Sequence, residues 1–376
     1  MRILLLTDRD FLQHERSMLA RLEIGLADEG HRVLHGVPDS LSESGTSVDV
    51  PAVYSTHVTY ADTGLPFTKG LRAQAFVEAV QAAAPMDAGQ PMADAVHVFG
   101  RGAWDMGARL ARRTKATLLI EVYEAAAIAP ACELAAENRG AHLVAADGPI
   151  GEELIRKTDP KRVHIAPWGV HMADHAHDDE LVARGAGTLT FALLSSGDDA
   201  DGLKAAVQGA AALAGRPEFA QRGVMVFVDA EVARRQPVWK WADDSGLSGR
   251  LSVIADMEGR REMVLQADVL LIADAGGKQR SFVLDAMAAG MLIVARPDPM
   301  NSALIDGRTC RQVQGEGGAE WASAIASILG ADHAQAARAL GESARAFVRA
   351  ERLASRHVAA VLAAYAKIAT PAGATP

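Results

Sequence analysis

The sequence has few of the features that mark secreted or membrane proteins. Only two of its 376 residues are cysteines, Cys132 and Cys310. Two are too few for a disulfide framework or for a zinc site made of four thiolates. The aliphatic run at residues 3–6 is the longest near the start, and it is far shorter than a signal-peptide core or a membrane span. We therefore expect a soluble protein of a reducing compartment, with a cytoplasmic location.

The sequence also lacks an excess of positive charge. It holds 38 Lys and Arg against 47 Asp and Glu, a net charge of −9. The chain as a whole therefore lacks the excess of positive charge that is typical of nucleic-acid-binding proteins. Hydrophobic residues make up 49% of the chain and charged residues 23%, which is typical of a globular protein with a large buried core. This composition excludes a disordered or collagen-like chain.

Three catalytic signatures are absent as well. The chain has no Gly-x-x-x-x-Gly-Lys-Ser/Thr phosphate loop and no Gly-x-Gly-x-x-Gly after its first strand-like segment. It also has no Gly-x-Ser-x-Gly nucleophile elbow. A nucleotide triphosphatase, a dinucleotide-dependent oxidoreductase and an α/β hydrolase are therefore disfavoured.

What the sequence does contain is an alternation of short buried strands with amphipathic helices. Residues 3–6 (ILLL) predict a buried strand, residues 15–29 a helix that ends at Gly30, and residues 32–35 a second strand. A strand, a helix and a strand within about 35 residues form a βαβ unit, whose right-handed crossover requires a parallel sheet.

The alternation continues in two series on either side of a polar stretch at residues 171–187. Further strands are predicted at residues 95–99, 117–122, 142–145, 162–166, 190–194, 224–228, 251–254, 269–272 and 292–294. Further helices are predicted at residues 105–114, 150–157, 202–214, 232–243, 260–266, 282–289 and in one Ala-rich stretch from 318 to about 367. The pattern predicts two α/β domains, residues 1–172 and 173–354, with a ligand cleft between them.

Residues 267–273 (ADVLLIA) and 282–295 (FVLDAMAAGMLIVA) predict a strand, a loop and a helix. Together with residues 15–33, 93–97 (ADAVH), 161–171 (KRVHIAPWGVH) and 301–310 (NSALIDGRTC), they resemble the motifs of family 4 glycosyltransferases in the same order and spacing. The resemblance implies the GT-B fold, in which two Rossmann-like, doubly wound parallel-sheet domains face each other across a cleft. It also implies that a C-terminal helix, residues 355–370, completes the first domain.

The resemblance further implies where the activated sugar donor binds. In such enzymes two acidic residues eight positions apart contact the donor, and here the second is Asp285 while the first is replaced by Gly277. The Arg and Lys that usually hold the diphosphate fall on Ser196 and Asp201, in a loop with three carboxylates and no cation. The loss of both cations would cost about 3–6 kcal/mol of binding free energy.

Residues 276–281 (GGKQRS) offer a compensation, because they lead into a predicted helix whose N-terminus favours an anion. Lys278 and Arg280 would supply the missing charge there; the alternative is a solvated turn. The predicted donor-binding set is Ser196, Gly197, Gly277, Lys278, Arg280, Ser281 and Asp285.

Candidate residues for the acceptor side lie in the first domain. His14, which we expect at the opening of the first helix, and Glu124, after a strand, are candidate catalytic bases. The predicted acceptor-binding residues are Gln13, His97, Tyr123 and Trp168. Structural alternatives remain open for four of these residues: His14 as an ordinary polar residue at a helix N-terminus, His97 as a core or strand-end histidine, Glu124 as a helix-capping or solvent-facing carboxylate and Trp168 as an interdomain packing residue.

The sequence therefore predicts a metal-independent glycosyltransferase that needs no cofactor and moves a sugar from a nucleotide-activated donor to an unknown acceptor. The alternatives are a GT-B protein that has lost catalysis and serves as a binding or scaffold module, and another two-domain enzyme such as an epimerase. Expected partners are the nucleotide-sugar donor and the acceptor. A stripe of arginines, Arg345, Arg349, Arg352 and Arg356, makes peripheral membrane contact an open alternative to a solvated helix face.

Overall fold

The computed structural model describes residues 1–43, 54–85, 90–172, 187–219, 223–329 and 334–369. The chain divides into two compact units. The first consists of Met1–Trp168 and the C-terminal segment from Ala354, and the second of Gly169–Leu353. Most of the polar stretch that was predicted to separate the domains, residues 171–187, lies outside the described residues.

The first unit contains one parallel sheet of seven strands. These are β1 (Arg2–Thr7), β2 (Arg32–Pro38), β3 (Ser55–Tyr60), β4 (Ala95–Phe99), β5 (Thr117–Val122), β6 (His142–Ala145) and β7 (Val163–Ile165). Their order across the sheet is β3-β2-β1-β4-β5-β6-β7. All six residues of β1 are buried, as expected for a central strand with both faces of its sheet covered.

The helices of the first unit follow its strands. They are α1 (Arg9–Asp28), α2 (Ser40–Glu43), α3 (Lys69–Ala83), α4 (Trp104–Thr114), α5 (Ile128–Glu137) and α6 (Gly148–Lys157). Short 3₁₀ turns lie at Pro66–Thr68, Arg101–Ala103, Ala125–Ala127 and Pro160–Arg162.

The second unit contains six parallel strands with helices between them. Its strands are β8 (Leu189–Leu194), β9 (Val224–Asp229), β10 (Leu251–Ile254), β11 (Val269–Ile272), β12 (Leu292–Ala295) and β13 (Arg311–Gln312), in the order β10-β9-β8-β11-β12-β13. Its helices are α7 (Ala200–Ala214), α8 (Ala230–Arg235), α9 (Val238–Asp244), α10 (Arg261–Val264), α11 (Ser281–Ala289), α12 (Gly318–Leu329) and α13 (Ala334–Glu351). Two 3₁₀ turns lie at Pro217–Phe219 and Ser248–Arg250.

The last helix, α14 (Ala354–Ala369), packs in the first unit. The Tyr365 hydroxyl lies 2.9 Å from Nδ1 of His97, and Nδ1 of His357 lies 3.2 Å from the carbonyl oxygen of Ala166. A Cβ atom on Gly25 of α1 would lie 2.4 Å from a methyl carbon of Val358. The glycine therefore lets these two helices approach closely.

The predicted doubly wound α/β fold is confirmed, while several helix limits differ from prediction. Residues 232–243, predicted as one helix, form α8 and α9, because Pro237 has no amide hydrogen to continue the first helix. The helical stretch predicted from residue 318 is divided into α12, α13 and α14. Within the described part of the chain, no helix combines the length and the apolarity needed to cross a membrane.

Candidate functional site

The strand order of the second unit marks one place where a ligand would bind. From β8 the chain continues to β9 on one side, whereas β11 lies on the other, so the order reverses between β8 and β11. Ligands of open parallel sheets bind at such a reversal, beyond the carboxyl ends of the strands. The loops that follow these two strands, residues 195–199 and 273–280, contain most of the predicted donor-binding residues.

Asp274 holds these two loops together. Its carboxylate accepts a hydrogen bond of 2.7 Å from the Ser195 hydroxyl and another from the backbone amide of Ser196. Gly197 adopts a φ of +77° and Gly277 a φ of +66°, a backbone region that side chains disfavour. The structure thus brings Ser196, Gly197 and Gly277 to one edge of the sheet, in turns that suit glycine.

The carboxylates of the loop after β8 have cationic partners from other elements. Asp198 forms an ion pair with Arg235, and Asp199 with Arg296. Burial alone would raise the pKa of Asp198, but hydrogen bonds from Arg235 and Ser196 and the charges of Arg235 and Lys278 lower it. The loop itself holds no cation, but the negative charges of Asp198 and Asp199, two of its three carboxylates, are offset. The expected repulsion of a diphosphate is therefore weaker than the loop sequence implies.

Sequence reasoning did not identify Arg235 and Arg296 as residues of this site. A signal was available for Arg296, because it directly follows the strand β12 and therefore lies at the carboxyl edge of the sheet. Arg235 is the last residue of α8, and its position beside the β8 loop depends on the folded chain.

The loop before α11 carries the predicted anion-binding residues. Lys278 is half-buried, and its charge acts on Asp198 across the crevice. Arg280 is buried and directly precedes the helix. Ser281 is the first residue of this nine-residue helix, and its hydroxyl accepts a 3.0 Å hydrogen bond from Arg261. An anion at this helix N-terminus would be favoured by the helix dipole.

Asp285 lies on α11 and is paired with a buried arginine that the sequence did not suggest. Arg261 forms ion pairs with Asp285 and, at 2.8 Å, with Glu258. Its guanidinium carbon also lies 5.3 Å from the ring centre of Phe282. A carboxylate accepts several hydrogen bonds, so this pairing is compatible with the predicted contact of Asp285 with a ribose.

In the first unit, the strand order reverses between β1 and β4. Asp8 occupies this position and accepts hydrogen bonds of 2.8 Å from the backbone amides of Phe11 and Gly102. Gly100 has a φ of +85°, and a Cβ atom there would lie 2.1 Å from the Asp8 carboxylate. These two amides therefore already bind a carboxylate of the protein instead of a phosphate.

The two residues predicted in the first loop, Gln13 and His14, lie inside α1. The prediction that His14 opens the helix is correct only for the second part of α1. The helix begins at Arg9, after the cap Asp8, but non-helical backbone at Glu15 (φ −134°, ψ 25°) kinks it, so that His14 directly precedes the segment predicted over residues 15–29. Nδ1 of His14 lies 2.8 Å from the carbonyl oxygen of Asp10. A carbonyl only accepts, so Nδ1 carries the hydrogen and Nε2 is the basic nitrogen of the neutral ring.

Tyr123 and Glu124 follow β5 in different environments. The Tyr123 ring is buried, stacks on Trp168 with ring centres 5.5 Å apart, and meets the edge of Phe11. Glu124 is half-buried and precedes a 3₁₀ turn that its side chain does not cap. The alternative that Glu124 is a capping residue thus has no support, and its role as a base stays a prediction.

His97 and Trp168 are buried residues of the first unit. Nδ1 of His97 lies 2.9 Å from the Tyr365 hydroxyl and Nε2 lies 3.1 Å from Glu121. The Trp168 indole donates a 2.7 Å hydrogen bond to the same Glu121. Less than 2% of either residue is exposed. Both residues are therefore part of the buried interior, which was the alternative to a role in acceptor binding.

A cavity of about 100 Å³, partly open to solvent, lies at the carboxyl edge of the first unit. It is lined by Tyr60, Ala61, Asp62, Lys69, Arg72, Gly102, Asp105, Met106 and Arg109. Burial alone would raise the pKa of Asp105, but hydrogen bonds from Arg109 and Lys69 lower it. Sequence analysis did not find this cavity, because β3 and α3, which supply much of its lining, were not predicted.

No family profile matches the sequence, and no curated protein matches it either. Solved structures do resemble it. A sucrose-phosphate synthase from Thermosynechococcus elongatus has a TM-score of 0.72 and 15% identity over 98% of this chain and 99% of its own. Anabaena Alr3699/HepE in complex with UDP and glucose has a TM-score of 0.71 and 13% identity over 97% and 99%.

A glycosyltransferase from Rickettsia africae ESF-5 has a TM-score of 0.67 and 15% identity, with 99% of both chains covered. Identities this low establish the fold alone. The chain has the two Rossmann-like units of the GT-B glycosyltransferase fold.

Proposed function

We propose that the chain is a glycosyltransferase of the family 4 type that takes its sugar from a nucleotide-activated donor. The observation that carries the proposal is the meeting of the loops after β8 and β11 at the strand reversal of the second unit. Gly197, Gly277 and Lys278 come together there at the N-terminus of α11. Two glycine turns, a lysine and a helix N-terminus suit the diphosphate of a nucleotide sugar.

Each donor-site residue has a distinct part in the proposal. Lys278 and the amide end of α11 bind the diphosphate and stabilise it as it leaves, as fixed positive charge does in other transfer reactions. Arg280 adds positive potential from its buried position, and Ser196 and Gly197 line the site with backbone whose amides are already bonded to Asp274 and to the Ser195 hydroxyl. Asp285, held by Arg261, accepts from the ribose hydroxyls.

The first unit would bind the acceptor and activate it. His14 has its Nδ1 hydrogen anchored on the Asp10 carbonyl, which leaves Nε2 as the nitrogen that takes a proton from the acceptor hydroxyl. Glu124 is the second candidate base. Gln13 and Tyr123 remain proposed acceptor residues, whereas His97 and Trp168 are left out because both are enclosed in the core.

The donor site is tested by calorimetric titration of the full chain with UDP, GDP, ADP and their sugar conjugates at low salt. We expect one nucleotide to bind, and we begin with UDP because the Anabaena neighbour was solved with it. Lys278→Ala removes a charge-assisted hydrogen bond worth roughly 1.5–3 kcal/mol. The dissociation constant should therefore rise about ten- to a hundred-fold.

Lys240→Ala is the matched control, since it removes an exposed lysine of α9 in the same unit. Unchanged affinity is expected for this variant. Absence of binding by any nucleotide to the folded chain, or equal losses in the two lysine variants, would contradict the donor site.

Turnover separates an enzyme from a binding module. A transferase with a bound donor releases the free nucleotide slowly even without its acceptor, because water replaces the acceptor hydroxyl. We expect His14→Gln or Glu124→Gln to lower this release without weakening donor binding. Tight binding with no release in the unmodified protein would instead indicate a GT-B protein that has lost catalysis.

A further inference from the structure

Three side chains that the proposed reaction does not use meet inside the first unit. Glu23 comes from α1, His35 from β2 and His57 from β3. His35 and His57 are paired neighbours on adjacent strands. One ligand atom from each of the three residues lies within 4.8 Å of the others.

The buried pair at the centre of this cluster has an unusual geometry. Oε1 of Glu23 and Nδ1 of His35 lie 2.8 Å apart. They are not aligned for a hydrogen bond, and neither atom has a hydrogen-bond partner within the described residues. Both residues are almost fully buried. Unpartnered polar atoms cost free energy in such a setting, so a group that satisfies both is expected between them.

Thr7 decides which nitrogen of His35 carries the hydrogen. The Thr7 hydroxyl donates to the Gly36 carbonyl at 3.2 Å and lies 3.0 Å from Nε2 of His35. A hydroxyl that donates its one hydrogen to Gly36 must accept from Nε2. The lone pair of Nδ1 then faces the Glu23 carboxylate, and two electron-rich atoms at this distance require a cation next to both.

His57 completes the set from the edge of the sheet. Its Nε2 lies 3.7 Å from Oε2 of Glu23 and 2.8 Å from the Ser55 hydroxyl, which itself donates a 2.7 Å hydrogen bond to Oε2. Nε2 therefore carries a hydrogen in the metal-free chain, and a bound ion would take the place of that hydrogen. In a tetrahedral zinc site with bonds of about 2.0 Å, neighbouring ligand atoms lie about 3.3 Å apart. The measured separations of 2.8 and 3.7 Å lie on either side of this value.

We propose that Glu23, His35 and His57 bind one divalent transition-metal ion of the zinc class. Two imidazoles and a carboxylate suit Zn²⁺, Co²⁺ or Ni²⁺ better than Mg²⁺ or Ca²⁺, which prefer oxygen ligands. The fourth position is left for Ser55 or water. The ion would hold α1 against β2 and β3, apart from the loops assigned to the donor.

The surroundings of the cluster fit this assignment. Thr7 accepts the Nε2 hydrogen of His35, as outer-shell groups of metal-binding histidines do. The His57 side chain is 20% exposed, and β3 is an edge strand. An ion can therefore enter from the side of the sheet.

The test uses the full chain after dialysis against a chelator, titrated with Zn²⁺ and Co²⁺. We expect one equivalent of Zn²⁺ to bind and to raise the unfolding temperature, and Mg²⁺ to do neither. His57→Ala and Glu23→Gln should each abolish the binding of this equivalent of Zn²⁺. Thr7→Val removes an outer-shell partner and should weaken binding about 10–100-fold. His142→Ala, at another histidine of the same unit whose ring lies 3.0 Å from a second histidine, His164, should bind Zn²⁺ as the unmodified chain does.

X-ray absorption of the Zn²⁺-loaded unmodified chain needs no variant, and it should show two imidazole nitrogens and a carboxylate oxygen. The proposal is overturned if the folded chain binds no Zn²⁺, or if His57→Ala binds it as tightly as before. It is also overturned if the absorption spectrum shows no imidazole ligands. Unchanged binding by His57→Ala, or a spectrum without imidazole ligands, would mean that the ion binds elsewhere. If no Zn²⁺ binds, the cation beside Glu23 is a proton on His35.

Discussion

Arg261 places a guanidinium between two carboxylates inside the second unit. Its ion pairs with Glu258 and Asp285 and its contact with Phe282 join α10 to α11. A buried carboxylate without a cation is unfavourable, because the interior solvates its charge poorly. The arginine therefore contributes to stability and to the position of Asp285 at once.

Removal of this cation should be costly. We expect Arg261→Met to lower the free energy of unfolding by about 3–5 kcal/mol, since both carboxylates lose the guanidinium that neutralises them. Urea unfolding measures the loss. Arg234→Met is the matched control, because the ion pair of Arg234 with Glu231 is exposed. An exposed pair is worth about 0–1 kcal/mol. Equal losses in the two variants would contradict this account of Arg261.

At the scale of elements, helix packing in the second unit depends on a close approach of α7 and α12. A Cβ atom on Gly209 would lie 2.3 Å from the Cβ of Trp321 and 3.2 Å from two backbone atoms of α12. Trp321 is buried in the main hydrophobic cluster of the unit. The glycine thus determines how near the two helices lie.

Two Gly→Ala substitutions in helices should have opposite effects. Gly209→Ala overpacks the contact with α12, and we expect it to destabilise the chain by about 1–3 kcal/mol. Gly70→Ala, in α3, has no atom within 4 Å of the new Cβ. It should stabilise the chain by up to about 1 kcal/mol through helix propensity. Thermal unfolding of both variants shows whether each substitution raises or lowers stability. Stabilisation by Gly209→Ala would contradict the close packing of α7 against α12.

At the scale of the whole molecule, stability depends on pH through a pair of neighbouring histidines. Nδ1 of His142 lies 3.0 Å from Nε2 of His164. Burial, followed by the charge of His142, lowers the pKa of His164 to about 4. The unfolded chain, with a pKa near the ordinary value of about 6.5, binds a proton at a higher pH than the folded chain does. Stability is therefore full above about pH 6.5 and falls as the pH drops towards 4.

Between pH 7 and pH 5 this one residue should remove roughly 2 kcal/mol from the free energy of unfolding. We expect His164→Gln to flatten that part of the profile measured by urea unfolding. His171→Gln, at an exposed histidine, should leave the profile unchanged. A profile of His164→Gln as steep as that of the unmodified chain would show that other groups cause the loss.

The C-terminal helix provides a further prediction for the whole molecule. A chain that ends at Leu353 lacks α14, so His97 loses the Tyr365 hydroxyl and the face of α1 at Gly25 loses Val358. We expect faster hydrogen exchange throughout the first unit and unchanged exchange in the second. A chain that ends at Ala369 is the control and should exchange like the full chain. Equal protection of the first unit in both truncations would contradict the prediction.

The sequence by itself determined the α/β class, the parallel strands and most helix positions, because local hydrophobic periodicity determines these elements. β1, β4 and β11 are mostly apolar runs, whereas β3 begins with three polar residues, Ser55–His57, and was not predicted. The resemblance of the motifs also predicted which loops of the second unit would bind a donor.

Only the tertiary structure decided which charges meet. Arg296 reaches Asp199, Arg261 reaches Asp285, and Glu23 reaches two histidines on neighbouring strands. The order of strands in a sheet places residues far apart in sequence at one edge or on one face, and no local pattern records that order. For the same reason His97 and Trp168, plausible binding residues in the sequence, became part of the core.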